Sequence, residues 1–425
     1  MLKVDLHTSV DDIIECEDVP GFLIKKVTFG RDQFWTPLRT IYLSTLIPQR
    51  IRREITDFDD KSLYEFNKIV YLSRVYDAIN NALEEGDDDR IKRFLKINDE
   101  IGGRRISVSL SFSEFPHRRL GDNYYELLNY VYPYSKLLFV PHVRFGDTKT
   151  KTSYDSRAFI RHVERSINIL KERNTKPIFV PLDVDFDRKT RDQVLAYYAR
   201  NGLTNIWVDC KGHMFSKIMV AKMRNLRRMI DRLFATNARD VIVYLTNMRK
   251  TPRQSPSDSR FVPSDFIGAF SYADVVGPPW KGIVAYQESE EEPYWVRKGY
   301  PTKLDYDMAI FRRDCSIFEN SSYYYYPPDR IRIGNFGLDT IRKRMLEYGP
   351  TKKNIAERIG YSVNGLLTLS ELQQLRKRVK RDAELLSYIE EKEFFRKEGI
   401  KILEELKTSR MKGSERRLFD FMRDQ

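Results

Sequence analysis

The chain has 425 residues, with 74 Lys and Arg against 61 Asp and Glu, so its formal net charge is +13 at pH 7 and its pI is near 9.3. A hydrophobic fraction of 41% argues against a disordered chain, and no apolar run reaches the roughly 18 to 20 residues of a membrane helix. The excess positive charge favours a polyanionic partner, with nucleic acid the first to consider.

The amino-terminal stretch MLKVDLHTSVDDIIECEDVP carries acids where a signal peptide needs an apolar core. We therefore expect a cytoplasmic protein with no membrane partner. Cys16, Cys210 and Cys315 lie far apart in sequence, which excludes a Cys-rich zinc site and a disulfide framework. We predict neither a metal nor a cofactor.

The predicted elements follow in chain order. LIKKVTF and FWTPLRTIYL are interpreted as early strands, and SLYEFNKIVYLSRVYDAINNALEEGDDDRIKRFLKIND is interpreted as a helical insertion over about 58–100. Six apolar runs without polar alternation then read as strands that are buried on both faces. They are RISVSLSF, KLLFVPHV, KPIFVPLDV, TNIWVDC, DVIVYLT and YADVVG.

Helical patterns separate these runs, among them SRAFIRHVERSINILKERN and SKIMVAKMRNLRRMIDRLF. Alternating strands and helices require parallel pairing with right-handed crossovers, so the fold class is α/β. A barrel and an open doubly wound sheet both satisfy this order. Because the chain has no Gly-rich phosphate loop, we favour a (β/α)8 TIM-like barrel over residues 1–285, with the early helical insertion.

Beyond the barrel, residues 286–335 read as an aromatic-rich connecting segment and residues 336–425 as a helical appendage. The run from Tyr323 to Tyr326 fits either an edge strand that packs on the domain or a platform for exposed bases. The last helix carries the basic cluster RKRVKR, whose residues Arg376, Lys377 and Arg378 are candidates for phosphate binding. A solvated helix packed on the barrel is the alternative.

The strand ends carry polar side chains, and the carboxyl ends of barrel strands meet at one rim. The candidate residues there are Ser111, His142, Arg144, Asp183, Asp185, Asp209, Lys211, Asn247, Arg249 and Asp274. Asp183 and Asp209 lie inside or against apolar runs, where an unpaired carboxylate is costly. We expect these two to face a functional pocket, although an ion pair with Lys211 or Arg144 is the alternative. Asp187 reads as a helix N-cap.

The order of elements resembles that of the tRNA-guanine transglycosylases, barrel enzymes that exchange a guanine for a 7-deazaguanine, and of their relatives that act on DNA. GRDQFWTPLRTIYLSTLIP is similar to the family's opening hairpin, and RKTRDQVLAYYARNGLTNIWVDCKG to the helix and strand before its recognition loop. FIGAFSYADVVG resembles the strand that delivers the catalytic aspartate. LSELQQLRKRVKRDAE resembles the helix that follows the zinc subdomain in the archaeal branch.

This sequence also departs from that family. The family's nucleophile would fall at about Gly277, which has no side chain. The region of its second acid reads SVSLSFSEF, without an Asp, and its zinc ligands are absent. The resemblance therefore implies either chemistry that has moved to other rim acids or a barrel that binds nucleic acid without catalysis.

Three functions remain open at this point. The first is a transglycosylase-like protein that exchanges or modifies a guanine-type base in RNA or DNA. Its nucleophile or general base would be Asp183, Asp185 or Asp209, with His142, Asn247 and Ser111 on the base and Arg144, Lys211 and Arg249 on phosphates. The second is a catalytically inactive RNA-binding or ribosome-associated factor. The third is a metal-dependent hydrolase built on the same acids with His142 and His213, which has no HxH or HExxH spacing.

Overall fold

The computed structural model describes ten stretches of the chain, and every structural statement below refers to them. They are residues 7–19, 21–59, 61–70, 73–95, 105–112, 122–143, 155–172, 175–250, 260–280 and 293–407. Within these stretches, no helix combines the length and the apolar character needed to cross a bilayer. Cys16, Cys210 and Cys315 are buried and unpaired.

The chain begins with an antiparallel sheet of three strands in the order β1 (Thr8–Glu15), β2 (Leu23–Phe29) and β3 (Asp32–Trp35). The predicted strand LIKKVTF is β2, but its place in the barrel was predicted wrongly, since it pairs only with β1 and β3. Its alternating burial is typical of an antiparallel strand with one covered face.

A parallel sheet then begins, interleaved with helices. Its first part comprises β4 (Leu38–Arg39), β5 (Ile41–Tyr42), α1 (Gln49–Phe58), β6 (Tyr64–Val70), α2 (Ser73–Glu84), α3 (Asp88–Leu95) and β7 (Ile106–Phe112). The second part comprises α4 (Asp122–Val131), β8 (Leu138–Phe139), β9 (His142–Val143), α5 (Ser156–Lys171), β10 (Ile178–Asp183), α6 (Arg188–Arg200), β11 (Asn205–Asp209), α7 (Lys217–Phe234), β12 (Ile242–Thr246), α8 (Ser264–Ile267) and β13 (Val275–Val276). All six predicted apolar strands lie here.

The parallel strands form a nearly closed, barrel-like sheet. Nine of them follow the order β4, β13, β12, β11, β10, β8, β7, β6, β5, and β9 pairs with β7 beside this path. Every pairing is parallel. Only Thr40 separates β4 from β5, so one short stretch of chain meets both ends of the path: Thr40 donates to the Val276 carbonyl and Ile41 to that of Leu63. The prediction of an α/β barrel-like sheet is therefore confirmed.

The predicted helical insertion is partly wrong. Residues 73–84 and 88–95 are helical, as expected, but Tyr64–Val70 form β6, which pairs in parallel with β5 and β7. The segment YEFNKIV alternates polar and apolar residues, unlike the other strands of this sheet. Its polar residues Glu65 and Asn67 hydrogen-bond with Ser109, which explains why a strand of the sheet is not uniformly apolar.

The antiparallel sheet covers the amino-terminal end of the barrel. Lys25 in β2 is buried and bonds the Val241 carbonyl, just before β12, at 2.6 Å. It also pairs at 3.0 Å with Asp274, just before β13. The interpretation of Asp274 as a rim residue was wrong, because it precedes its strand and lies at the end opposite to Asp183.

Aromatic rings fill one side of the barrel interior. The ring of Phe139 lies 5.0 Å from that of Tyr244, 5.3 Å from Phe179 and 5.6 Å from Trp207. These residues belong to β8, β12, β10 and β11, so side chains from four strands meet inside the sheet. Such packing makes the interior a core rather than a channel.

The remainder of the chain is mainly helical, as predicted. It comprises α9 (Tyr294–Arg297), α10 (Lys303–Asp314), the hairpin strands β14 (Ile317–Glu319) and β15 (Tyr324–Tyr326), α11 (Phe336–Tyr348), α12 (Lys353–Asp382), α13 (Leu386–Glu390) and α14 (Glu393–Lys397). Residues 400–407 are helical too.

Helix α12 runs antiparallel to the first strands of the barrel. Near its start, Ser362 Oγ donates to the Tyr42 carbonyl at 2.6 Å, beyond the middle of the helix Gly365 lies against Ile41, and near its end Arg376 donates to the Pro37 carbonyl at 2.5 Å. The carboxyl end of α12 is therefore at the amino-terminal end of the barrel.

Candidate functional site

The carboxyl ends of the strands bring the predicted site residues together. Asp183 ends β10 and is directly opposite Asp209, which ends β11 and is opposite Thr246 of β12. On the other side of the mouth, Ser111 of β7 is opposite His142 of β9. The expectation that these positions share one rim is correct in its geometry.

Asp183 lies at the centre of a buried polar cluster. Its Oδ1 accepts a hydrogen bond of 2.8 Å from the Asp185 backbone N–H. Its Oδ2 accepts from Lys211 Nζ and lies 3.3 Å from His142 Nε2. Asp183 is 0% exposed, so these groups replace the water that the carboxylate loses.

Burial by itself raises the pKa of Asp183 because it penalises the charged form. The hydrogen bond and charge of His142, together with those of Lys211, outweigh that effect and hold the pKa well below its usual range. Asp183 is therefore a carboxylate at neutral pH. It cannot donate a proton there.

Asp209 is bound differently, through one oxygen only. Its Oδ1 accepts from the Lys211 backbone N–H at 2.9 Å and from Asn247 Nδ2 at 2.9 Å. Its Oδ2 has no hydrogen-bond partner among the residues that the structure describes. Asn247 Nδ2 also donates to Ser111 Oγ at 3.2 Å, so one amide group connects opposite sides of the barrel mouth.

The loops that follow β11 and β12 hold these side chains by their backbone. Lys211 has φ 48°, Gly212 has φ 76° and Asn247 has φ 58°, all in the left-handed region. The Gly212 N–H donates to the Asn247 carbonyl at 2.8 Å, which ties the two loops together. A Cβ at Gly212 would lie 2.6 Å from the Trp280 ring, so only glycine fits beneath that ring.

Asp185 belongs to an outer, half-exposed cluster. Its carboxylate lies 3.1 Å from His213 Nε2 and 3.2 Å from Lys222 Nζ. The hydrogen bond from His213 is the main cause of the lowered pKa of Asp185. Asp187 caps α6 by accepting from the Thr190 N–H, as predicted.

The sequence reasoning missed a second buried acid, Glu65 of β6, inside the barrel. Its carboxyl oxygens accept hydrogen bonds from Ser109, Tyr244 and Thr40. Burial raises the pKa of Glu65 against the opposing effect of these hydrogen bonds. Only its place in a strand of polar and apolar alternation could have revealed it.

Three buried oxygens near the mouth have no hydrogen-bond partner within the described stretches. They are Asn67 Oδ1, Thr246 Oγ1 and Asn247 Oδ1. Buried polar atoms are nearly always satisfied in folded proteins, so each marks a place for a bound group or water. All three can accept a hydrogen bond, so the mouth of the barrel is suited to a ligand with N–H or O–H donors.

Gly277 follows β13, also at the carboxyl end. A Cβ placed there would lie 2.7 Å from both Thr246 Oγ1 and Tyr244 Cε1. The space that a side chain at this position would use is occupied by those two residues. An acid could enter only if Tyr244 or Thr246 moved.

The predicted phosphate-binding residues divide into two groups. Lys211 is engaged with Asp183, and Arg249 lies over the Trp280 ring at 5.1 Å, so both belong to the mouth. Arg144 falls outside the described residues.

Arg376, Lys377 and Arg378 lie on the last turns of α12, at the opposite end of the barrel. Arg376 is partly buried against Pro37, and burial lowers its pKa to about 10. Arg378 pairs with Asp382 at 2.6 Å, while Lys377 is exposed. These three residues do not join the rim that holds Asp209.

The tyrosine run forms part of a core. Tyr323, Tyr324 and Tyr325 are buried, and Tyr323 and Tyr388 both donate to the buried Glu371. Tyr325 donates to Asp265 Oδ1 at 3.0 Å. The interpretation as a base platform is therefore wrong for these three, whereas the packed strand was the correct alternative.

Nothing in the described stretches groups three or more His, Cys, Asp or Glu side chains around a possible metal position. Asp183 is occupied by Lys211, His142 and a backbone amide, which leaves it unsuited to be a ligand of a cation. A metal-dependent hydrolase built on these residues thus has no geometric support in the described part of the chain.

No protein-family model matches this chain, and no curated protein sequence matches it significantly. The functional argument therefore depends on the geometry of the barrel mouth and on the charge of the chain.

Proposed function

We propose that the chain is a base-exchange enzyme of the transglycosylase type, which acts on a guanine-type base of RNA or DNA at the carboxyl end of the barrel. The observation that carries the proposal is Asp209, an acid that two hydrogen bonds hold through Oδ1 while Oδ2 has none among the described residues. This leaves one oxygen for a substrate.

An eightfold barrel agrees with this proposal. If β4 with β5 and β8 with β9 each count as one strand position, the sheet has eight positions and its order becomes that of a (β/α)8 barrel. In such barrels the catalytic residues lie at the ends of several strands, on the face where Asp183, Asp209 and Asn247 meet.

The three predicted acids differ in what each can do. Asp183 is fully buried and both of its oxygens are occupied, so we assign it a positioning role on Lys211 and His142. Asp185 is bound by His213 and Lys222 in the outer cluster. Asp209 remains as the acid best placed to touch a substrate.

The proposed chemistry is an exchange in two displacements. Asp209 Oδ2 attacks C1′ of the nucleotide as the bond from C1′ to the base breaks, and the electron pair leaves with the base, which takes up a proton. The ring nitrogen of the incoming base then attacks C1′, the bond to Asp209 breaks, and that nitrogen loses its proton. No electrons are gained or lost overall.

The mouth also offers groups that suit the edge of a base. Asn67 Oδ1 and Asn247 Oδ1 are buried acceptors without partners in the described stretches, and a guanine-type base presents N–H donors. Asn247 and Ser111 then act in base binding, as the sequence predicts. His142 is engaged with Asp183, so its part is to support that acid.

Replacing Asp209 tests the proposal. We expect Asp209→Asn to lower the rate of labelled-guanine exchange into tRNA or DNA by at least about a thousandfold, because an amide cannot serve as the nucleophile. Binding of the nucleic acid should change by less than about twofold. Incorporated label measures the rate, and filter binding measures the affinity.

Asp185→Asn is the matched control, since it removes the same charge from the outer cluster. Exchange that survives in Asp209→Asn at the level of Asp185→Asn would refute the role of Asp209. The thermal unfolding midpoints of both variants show whether the fold is kept.

A second function is favoured by Gly277. Since a side chain there would contact Thr246 and Tyr244, the barrel has no acid at the position where the resemblance expects the nucleophile. A binding factor without catalysis is consistent with this. Wild-type protein that binds nucleic acid but exchanges no guanine, under any tested substrate, would favour that function.

A further inference from the structure

Helices α9 and α10 form a pair that packs little against the rest of the molecule. None of the residues of α9 is buried, and Phe311 is the only buried residue of α10. A helix normally buries one face to become stable, because short helices are marginal alone in water. The exposure of this pair therefore points to a surface with a purpose.

Three tyrosine rings hold the two helices together. The Tyr306 ring lies edge-on to those of Tyr294 and Tyr300, at 5.3 and 5.4 Å. Arg297 and Lys298 lie over the Tyr294 ring at 5.9 and 5.5 Å. The pair thus combines aromatic faces with cations on an exposed part of the chain.

Trp295 lies between these groups and is only partly buried. Its carbonyl accepts from the backbone N–H groups of Lys298 and Tyr300, which fixes the turn after α9. Its indole ring makes no contact with another aromatic ring of the described residues. An accessible indole face beside two cations is the arrangement that proteins use to stack an unpaired base.

The charge of this pair is positive. Arg297, Lys298 and Lys303 are exposed. Of the nearby acids, Asp305 is held by the N-cap residue Thr302, whose hydroxyl lies 2.7 Å from its carboxylate. Exposed cations beside an aromatic ring favour a phosphate backbone over an acidic or apolar surface of another protein alone.

The pair is fastened at the end of the barrel that carries Asp209. Lys250, which follows β12, donates from Nζ to the carbonyls of Asp314 and Ser316 at 3.2 and 2.6 Å. Asp314 is the last residue of α10. A strand bound on this pair would therefore lie on the same side of the molecule as the barrel mouth.

We propose that Trp295, Arg297, Lys298 and Lys303, the α9–α10 surface, bind single-stranded nucleic acid, with a base on the indole ring and phosphates on the cations. A single strand is the occupant, because a duplex hides the base faces that an aromatic ring needs. The inference rests on the proposed function only in that this strand leads to Asp209. The binding itself requires no catalysis.

Binding of a short, labelled, single-stranded oligonucleotide to the full chain tests the inference by fluorescence anisotropy. Trp295→Ala should weaken binding about tenfold and leave the salt dependence unchanged, since it removes stacking. Arg297→Glu with Lys298→Glu should weaken binding and reduce the slope of log K against log salt by roughly 0.7 for each lost phosphate contact. Trp295→Phe should retain part of the affinity.

Lys377→Glu with Arg381→Glu is the matched control. It changes the net charge equally, at exposed positions on the opposite end of the barrel, and should have a much smaller effect. Equal losses in the two double variants, or unchanged binding in Trp295→Ala, would overturn the inference. So would tighter binding of a blunt duplex of the same sequence, or a dimer that forms through this surface in sedimentation experiments.

This test separates the inference from the proposed function. Asp209→Asn should keep full affinity for the oligonucleotide. If exchange activity is present while the variants of the α9–α10 surface bind normally, the surface is wrong and the catalytic proposal stands. If the surface binds and no exchange occurs, the catalytic proposal fails alone.

Discussion

The carboxylate of Asp183 shows how one buried charge organises the barrel mouth. It lies between Lys211, His142 and a backbone amide, and each of these groups is also part of a loop or strand end near Asp209. Removing one member of a buried ion pair leaves the other uncompensated, which typically costs about 3 to 5 kcal/mol. Asp183 therefore stabilises the fold and the shape of the site together.

Asp183→Asn should lower the free energy of unfolding by about 3 kcal/mol at pH 7, the lower end of that range, because Lys211 can regain water. The folded-state pKa of Asp183 is below the unfolded value of about 3.9. The stabilisation is thus complete above that value and is lost as the pH falls through the folded pKa. Urea unfolding from pH 8 to pH 3 measures both effects.

The difference between the wild type and Asp183→Asn should stay constant from pH 8 to about 5 and shrink below about pH 4. Asp185→Asn serves as the control, with a much smaller loss because Asp185 is half-exposed. A difference that grows towards acid pH would contradict the assigned direction of the pKa shift.

Residue patterns predicted part of this site. Asp183 and Asp209 were identifiable because a carboxylate at the end of an apolar run needs a compensating partner. Asp274 looked equivalent but precedes its strand, and the polar run around it gave no direction. Glu65 and Asn67 stayed hidden because their partners lie on strands far away in sequence, which one chain without coordinates does not reveal.

At the scale of elements, α12 is the helix that packs most closely on the barrel. A Cβ at Gly365 would lie 3.3 Å from Ile41 Cα, which is backbone and cannot move aside. A Cβ at Gly360 would lie 3.3 Å from Met345 Sδ, the end of a flexible side chain. The same helix thus offers two glycines with different surroundings.

Gly360→Ala should be neutral or stabilising, by up to about 1 kcal/mol, because alanine favours the helix and Met345 can adjust. Gly365→Ala should be less stable than Gly360→Ala by about 1 kcal/mol or more, since the contact with Ile41 strains the packing. Urea midpoints of the two variants, at unchanged m-value, measure the difference. Equal stability of the two would show that α12 does not press on β5.

The elements were predictable where burial was uniform. Six apolar runs gave β7 to β13, since strands covered on both faces contain few polar residues. β6 was taken for a helix because its polar residues point to partners inside the barrel. LIKKVTF was placed in the wrong sheet, because pairing partners depend on tertiary structure rather than on local pattern.

Viewed as a whole, the molecule separates its two ends. The carboxyl end holds Asp209 and carries the α9–α10 surface, while the antiparallel sheet and the end of α12 cover the amino-terminal end. A net charge of +13 spreads a positive field over both. Site chemistry and long-range attraction are thus properties of different parts of the chain.

The whole chain, purified without nuclease and at low salt, should carry nucleic acid that absorbs at 260 nm. Raising the salt should release it, since binding that displaces counterions weakens steeply with salt. Sequencing the released material against total nucleic acid from the same lysate should show enrichment of particular species. Recovery of none at low salt would refute a nucleic-acid partner, and a composition equal to the lysate would refute a specific one.

Closure through Thr40 sets an order of events for folding. β4 is hydrogen-bonded to β13, some 240 residues later in the chain, while β5 meets β6 almost at once. During synthesis, Leu38 and Arg39 must wait for Val275 and Val276 to leave the ribosome before their ladder can form. Until then the unpaired edge of that first strand is open to other chains, so ring closure is the slow, chaperone-dependent event in the life of this protein.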